Sequence, residues 1–500
     1  MRNTLLFILI FSGFLSAAQT AKDSINTYKK RVLEAPEVDL LMSYYHQEGD
    51  HSAVGGGIGN ESLDDITPTI VITLPLNDDD VLTIDAGLSA YTSASSSNIN
   101  PFNNSGASRG GEDHDDDLRV FKSGASQTGN KSLVQNTQAT PTTSTTKGSP
   151  WVASSGASRN DELYTFSADY SHSSNDRNLI LGGHVAVSQE FDYGSFGFGG
   201  SIARLFNEKN TEISLKTLVY LDKWRPIYPT ELHEYSLYGS SFLNSGYFQG
   251  VTVLDEQGNA STQYSPSMFS VINDKKRNSY SASLSFSQII SKRMQASFFV
   301  DLIYQEGLLS TPYHRIYFAD KPNYYIGTAS DIPNYTSSKN KGVYQLADNI
   351  EHLPGNRLKT PFGARINYYI SENLKLRTYY RYYTDDWGIT SHTASIELPV
   401  KLAQSLTVTP SYRYYQQTAA KYFAPYETHL STEQYFTSDH DLAALHSNQW
   451  GLGISYTDIF TRRKIYKFGL KNINLKYSHY DRSDGLKANI VSLGVKFIFD

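Results

Sequence analysis

The sequence predicts an all-β chain that folds as a single transmembrane antiparallel up-and-down β-barrel. About 16 strands are expected, within a range of about 14 to 18, joined by long extracellular loops and short periplasmic turns. Three observations predict it. First, segments of about ten residues alternate apolar and polar side chains with period two, as where Val491, Leu493, Val495, Phe497 and Phe499 alternate with Ser492, Gly494 and Lys496. Second, the connections between such segments largely alternate long and short. Third, no apolar run of about 18 residues occurs outside the N-terminus, so strands and not helices must do any spanning. Periodicity alone does not separate a membrane barrel from a soluble sandwich. The segregation of long connections to one side does, because a sandwich has no reason to sort its loops in this way.

Composition narrows the classes further. The 500 residues carry 44 basic and 50 acidic side chains, net −6, with no clustered basic face to bind nucleic acid. Cysteine is absent, which removes disulfides, thiol nucleophiles and a lipid-anchored cysteine. Tyrosine is abundant, at 37 copies, and the mean hydropathy of −0.42 is far too polar for a helical membrane protein. No nucleotide, haem or zinc motif is present.

In chain order, residues 1–18 read as a signal peptide: Arg2, an apolar stretch from Leu5 to Leu15, then Ser16-Ala17-Ala18. A periplasmic segment over 19–36 follows, with the spacing of Ile25, Tyr28 and Val32 suited to a short helix over 23–34. The barrel is expected over 37–500, with strands at 37–47, 70–76, 81–91, 163–172, 178–190, 195–206, 211–224, 278–290, 294–305, 361–370, 374–383, 389–400, 406–417, 449–457, 469–480 and 489–500. Residues 92–160 are dominated by Ser, Thr, Asn, Gly and acidic residues and read as a low-complexity loop. The remaining long connections, 51–67, 225–277, 306–360 and 418–447, fall on its side of the barrel. That arrangement places both termini in the periplasm, the protein in the cell outer membrane, and outer-membrane lipid and the barrel-assembly machinery among its partners.

Within each strand one face is expected to meet lipid and the other a wet lumen. Arg365, Arg377, Arg381 and Arg413 share the polar face, as they must, because a cation facing mid-bilayer costs about 2–4 kcal/mol. They form a candidate lumenal basic cluster, with Asp301, Asp385 and Glu397 as acidic partners; the competing account is a polar network that only rigidifies the wall. Tyrosines near strand ends suit the two membrane interfaces.

Other chemistry is weaker. Glu112, Asp113, His114 and Asp115 begin an acidic run that could hold a metal, but it has no calcium-loop spacing and reads as a solvated charge run. Ser391 and His392 are adjacent on a strand and so point to opposite faces, and no Gly-x-Ser-x-Gly elbow surrounds Ser391; catalysis is not expected. Three Ser-Gly-Ala-Ser repeats end at Ser108, Ser126 and Ser158. They look like the acceptor tetrapeptide for covalent FMN, yet Phe102, Val120 and Val152 stand where that pattern wants Asp. The expectation is therefore no cofactor, with covalent FMN as the alternative.

Residues 91–95 (Tyr-Thr-Ser-Ala-Ser), 307–313 (Gly-Leu-Leu-Ser-Thr-Pro-Tyr) and 379–392 with Arg381-Tyr382-Tyr383-Thr384-Asp385-Asp386-Trp387 carry a resemblance. The chain resembles the family of outer-membrane barrels known as domain of unknown function 3570, over nearly all of the mature chain. The resemblance implies the barrel and an association with periplasmic flavin and redox proteins; it assigns no residue a role. The leading expectation is solute passage or binding through a polar, Arg-containing lumen. The alternatives are a surface component of an extracytoplasmic flavin, redox or metal-handling system, and an outer-membrane enzyme.

Overall fold

Sixteen strands close into one ring in the computed structural model, which describes residues 31–92, 161–190, 192–335 and 343–499. They are β1 (Glu37–Glu48), β2 (Leu63–Pro75), β3 (Asp80–Thr92), β4 (Asp161–Ser173), β5 (Leu179–Gln189), β6 (Tyr193–Phe206), β7 (Thr211–Trp224) and β8 (Lys276–Ser291). Then come β9 (Met294–Gly307), β10 (Phe362–Ser371, prolonged by Asn356–Lys359), β11 (Leu374–Thr384) and β12 (Thr390–Glu397, continued by Val400–Ala403). The last four are β13 (Leu406–Gln417), β14 (Leu445–Thr457), β15 (Phe468–Arg482) and β16 (Lys487–Phe499). Each strand pairs antiparallel with its chain neighbours. The ring shuts where β1 meets β16, from Glu37 opposite Ile498 to Glu48 opposite Lys487, so the sheet has no free edge. At a strand spacing of about 4.8 Å and a tilt of about 40°, such a ring is roughly 30 Å across.

The faces are inverted relative to a soluble protein. Leu40 and Met42 on β1, Phe298, Val300 and Leu302 on β9, Leu452 and Ile454 on β14, and Leu475 and Tyr477 on β15 are all exposed. The alternate positions are polar and buried: Asp39, Ser43 and Gln47 on β1, Asp301 and Gln305 on β9, Ser492 and Lys496 on β16. Ile473, Val495 and Phe497 share the outward parity. Tyr44, Tyr280, Tyr304 and Tyr477 stand outward toward the long-loop end, and Tyr170 and Tyr368 toward the short-turn end, matching the two interfacial girdles.

One end of the ring carries short turns, the longest being 458–467; the other carries 49–62, 225–275, 308–355 and 418–444. The long connections are not loose. Residues 225–275 include a helix, α1 (Thr230–Tyr238), entered through Pro229 and ended at Gly239, whose φ of 55° suits a residue without Cβ. Leu232 of α1 packs with Phe269, Tyr317, Ala347 and Ile350, joining the connections after β7 and β9. Below them the Arg315 guanidinium, 1% exposed, donates to Glu231 Oε1 at 2.8 Å and, through Nη1, to the carbonyl of Val54 at 3.2 Å. Val54 follows β1 and Arg315 follows β9, eight strands away on a ring of sixteen, which is the opposite wall. A hydrogen bond between connections rooted in opposite walls means that these connections bridge the barrel mouth as a folded cap.

Residues 1–18 and 93–160 lie outside the described residues, and with them the expected signal peptide and nearly all of the low-complexity loop. Of the helix expected over 23–34, only 31–34 are described, and they are irregular and not helical.

Candidate functional site

Period two puts every odd-numbered position of β9 to β13 on the inner face, which is why four arginines scattered over fifty residues converge. The register stacks them in levels. Ser297, Arg365, Tyr379, Ser395 and Arg413 lie opposite one another in a row across five strands. One level toward the short turns, Arg377 sits between Asn367 and Glu397; one level toward the cap, Arg381 sits between Gly363 and Thr393. The four arginines are half-buried.

Aromatic rings flank two of them. The Arg365 guanidinium lies 5.3 Å from the Tyr379 ring and that of Arg381 5.7 Å from Tyr383, cation–π contacts that fix a charge without neutralising it. Tyr379 stacks at 5.9 Å on Phe299. That stack needs Gly363, since a Cβ there would come 2.5 Å from the Phe299 ring and 2.3 Å from the Tyr380 carbonyl oxygen. Arg381 Nε is buried without a hydrogen-bond partner.

The three acidic positions behave differently from one another. Glu397 lies 3.9 Å from Arg377 and 3.7 Å from Lys476, a cation that the sequence pattern did not single out. Asp301, 3% exposed, belongs to the charged surroundings of Tyr379 together with Arg365, Arg381 and Arg413. Asp385 lies beyond the end of β11, at the rim. It accepts from Arg357 Nε at 2.9 Å, from the Tyr383 hydroxyl at 2.7 Å and from the Ile389 amide at 2.9 Å, so its partner is Arg357 and not the cluster of four. Arg357 and Lys359 extend the basic strip toward the cap on the same inner face, with Arg277 beside them. They were missed because they precede the segment whose alternation was readable. Further round the ring, on β15, β16 and β1, Lys471 and Lys496 are matched by Glu37 at 2.7 and 2.9 Å.

Ser391 faces inward and is buried, whereas His392 faces outward and contacts the Tyr380 hydroxyl at 2.7 Å, on opposite faces as strand geometry requires. Glu112, Asp113, His114 and Asp115, and Ser108, Ser126 and Ser158, lie outside the described residues.

A closed antiparallel ring with an apolar exterior, a polar charged interior and loops sorted to one end is a transmembrane β-barrel of the outer-membrane kind. The chain belongs to the family described as Protein of unknown function (DUF3570), whose model matches residues 8–483. Among solved structures it is similar to a bacterial polysaccharide outer membrane secretin, with 10% identity, TM-score 0.40, and 95% of this chain and 100% of that chain covered. It is also similar to a BenF-like porin from Pseudomonas fluorescens Pf-5 (7% identity, TM-score 0.38, 93% and 98% covered). A third is OpdK of Pseudomonas aeruginosa crystallised with vanillate (8% identity, TM-score 0.33, 93% and 99% covered). No curated protein matches the chain.

Proposed function

We propose that the protein admits a small anionic solute to its lumen across the outer membrane, with the folded cap restricting access from the long-loop side. The observation that carries this reading is the strip of four half-buried arginines converging on the inner faces of β10, β11 and β13, with Arg365 and Arg381 each set against a tyrosine ring. A cationic strip lining a channel with low-dielectric walls raises the local concentration of anions. In this reading the long loops face the exterior and both termini the periplasm, and no bond-breaking step is involved.

Planar-bilayer recording of the purified barrel under a KCl gradient tests it. Wild type should show a reversal potential displaced toward the chloride potential, and the double variant Arg365→Gln/Arg413→Gln should move that potential toward zero. Cation preference in wild type, or an unmoved potential in the variant, contradicts the reading.

A further inference from the structure

The cap holds a second charged cluster. His314 and Glu351 come from the connection after β9, and Asp439 from the connection after β13. Their candidate donor atoms all lie within 4.8 Å of one another. His314 Nδ1 is 3.5 Å from Glu351 Oε2 and 4.0 Å from Asp439 Oδ2. Donors bonded at about 2.0–2.2 Å around a tetrahedral ion stand roughly 3.4 Å apart, so these separations need only a small contraction. They are long for hydrogen bonds. His314 is 2% exposed and neither of its ring nitrogens has a hydrogen-bond partner. A buried imidazole in that condition has lost water at both nitrogens, and the 3.5 Å approach of Glu351 to Nδ1 replaces it only weakly.

The scaffold around the three is already fixed. The Glu351 amide donates to the His314 carbonyl at 2.9 Å beside the short ladder of Arg315–Ile316 with Asn349–Ile350, which sets His314 next to Glu351. His352 and Phe436 exchange backbone hydrogen bonds of 3.0 and 2.7 Å, which brings the Asp439 segment alongside. Glu351 Oε1 accepts from the Thr311 amide at 2.6 Å and Oε2 from the Thr437 hydroxyl at 2.7 Å, and Asp439 Oδ1 accepts from the Asp441 amide at 2.9 Å. Each carboxylate is thus oriented by a neighbour, as the outer contacts of metal ligands commonly are.

We propose that His314, Glu351 and Asp439 bind one divalent transition-metal ion of the zinc class, which ties the connection after β9 to that after β13 and locks the cap. One neutral imidazole and two carboxylates carry two negative charges, the complement of a divalent ion, and this nitrogen–oxygen set suits Zn²⁺ or Mn²⁺ better than Ca²⁺, which takes oxygen ligands. The proposal is independent of whether anions cross the lumen.

The test uses the full chain in detergent, stripped with a chelator and titrated with ZnCl₂ by calorimetry, with proteinase K cleavage of the cap followed in parallel. Wild type should bind one Zn²⁺ that slows cap cleavage. Asp439→Asn, which keeps the shape, and His314→Ala should each bind it at least about 100-fold more weakly and lose the protection. Heat-dependent gel mobility verifies that each variant retains its barrel. Absence of a stoichiometric site in wild type, or one kept unchanged in both variants, overturns the proposal. So does protection that ignores Zn²⁺, which would mark the cluster as an ion pair of protonated His314.

Discussion

Glu61, in the connection between β1 and β2, shows how one side chain conditions the cap. It is 6% exposed, and its Oε1 accepts from the His51 amide at 3.3 Å. Burial pushes its carboxyl from 4.5 up to about 8, against the pull of the Arg482 charge. A carboxyl whose folded pKa is raised favours the folded state when protonated. That contribution is complete below about 4.5 and is lost as pH rises through about 8. Cap cleavage by proteinase K should therefore accelerate on going from acid to above pH 8, and Glu61→Gln should flatten the profile. Gly49→Ala should open the same region at all pH values, since its Cβ would fall 2.1 Å from Glu61 Oε1. None of this could be read from the sequence, where Glu61 is one more acid in a glycine-rich stretch. Arg365, Arg377, Arg381 and Arg413 were readable because parity alone decides their face. Glu397 was readable as a partner in the same way, whereas Asp385 was not, because it turns to Arg357 only through the geometry of the β11–β12 hairpin.

At the scale of elements, the strands were readable and the cap was not. β7 and β13 have the bounds that the alternation predicts, Thr211–Trp224 and Leu406–Gln417. β2 was expected to begin at Ile70 and begins at Leu63. Its first turn of sequence carries Asp64, Asp65, Thr67 and Pro68, which break the apolar pattern. That part of the strand stands where outward positions take polar contacts: Asp64 accepts from the Tyr44 hydroxyl at 2.7 Å and lies 2.9 Å from His46. The cap reads as loops because its apolar residues have no period, and its core forms only when Leu232, Tyr317 and Ile350 meet across more than a hundred residues. Arg315 and Glu231 are its tie. Arg315→Met leaves Glu231 buried without its counter-charge, a loss of about 3–5 kcal/mol. The variant should lose protease resistance over 225–275 and 308–355 while keeping heat-dependent gel mobility, and its single-channel conductance should rise if the cap is the barrier.

For the whole molecule, the lipid-facing belt sets the energetics. Phe298→Arg, outward on β9, should cost about 2–4 kcal/mol in urea-dependent refolding into vesicles, whereas Ser297→Arg, one position back and inward, should cost far less. Orientation is testable because the chain has no cysteine. Leu237→Cys on the exposed side of α1 should react with an impermeant maleimide on intact cells, and Ile465→Cys in the 458–467 turn only after the envelope is opened. The meeting of β1 with β16 has a temporal consequence as well. Until residues 487–499 are in place, Glu37–Glu48 has no neighbour on one flank, and a row of amides and carbonyls would face hydrocarbon unpaired. Insertion is therefore bound to come after synthesis of the final segment, and something must shield both lateral seams in the interval, so a chain cut short at residue 486 should stall before it leaves its escort.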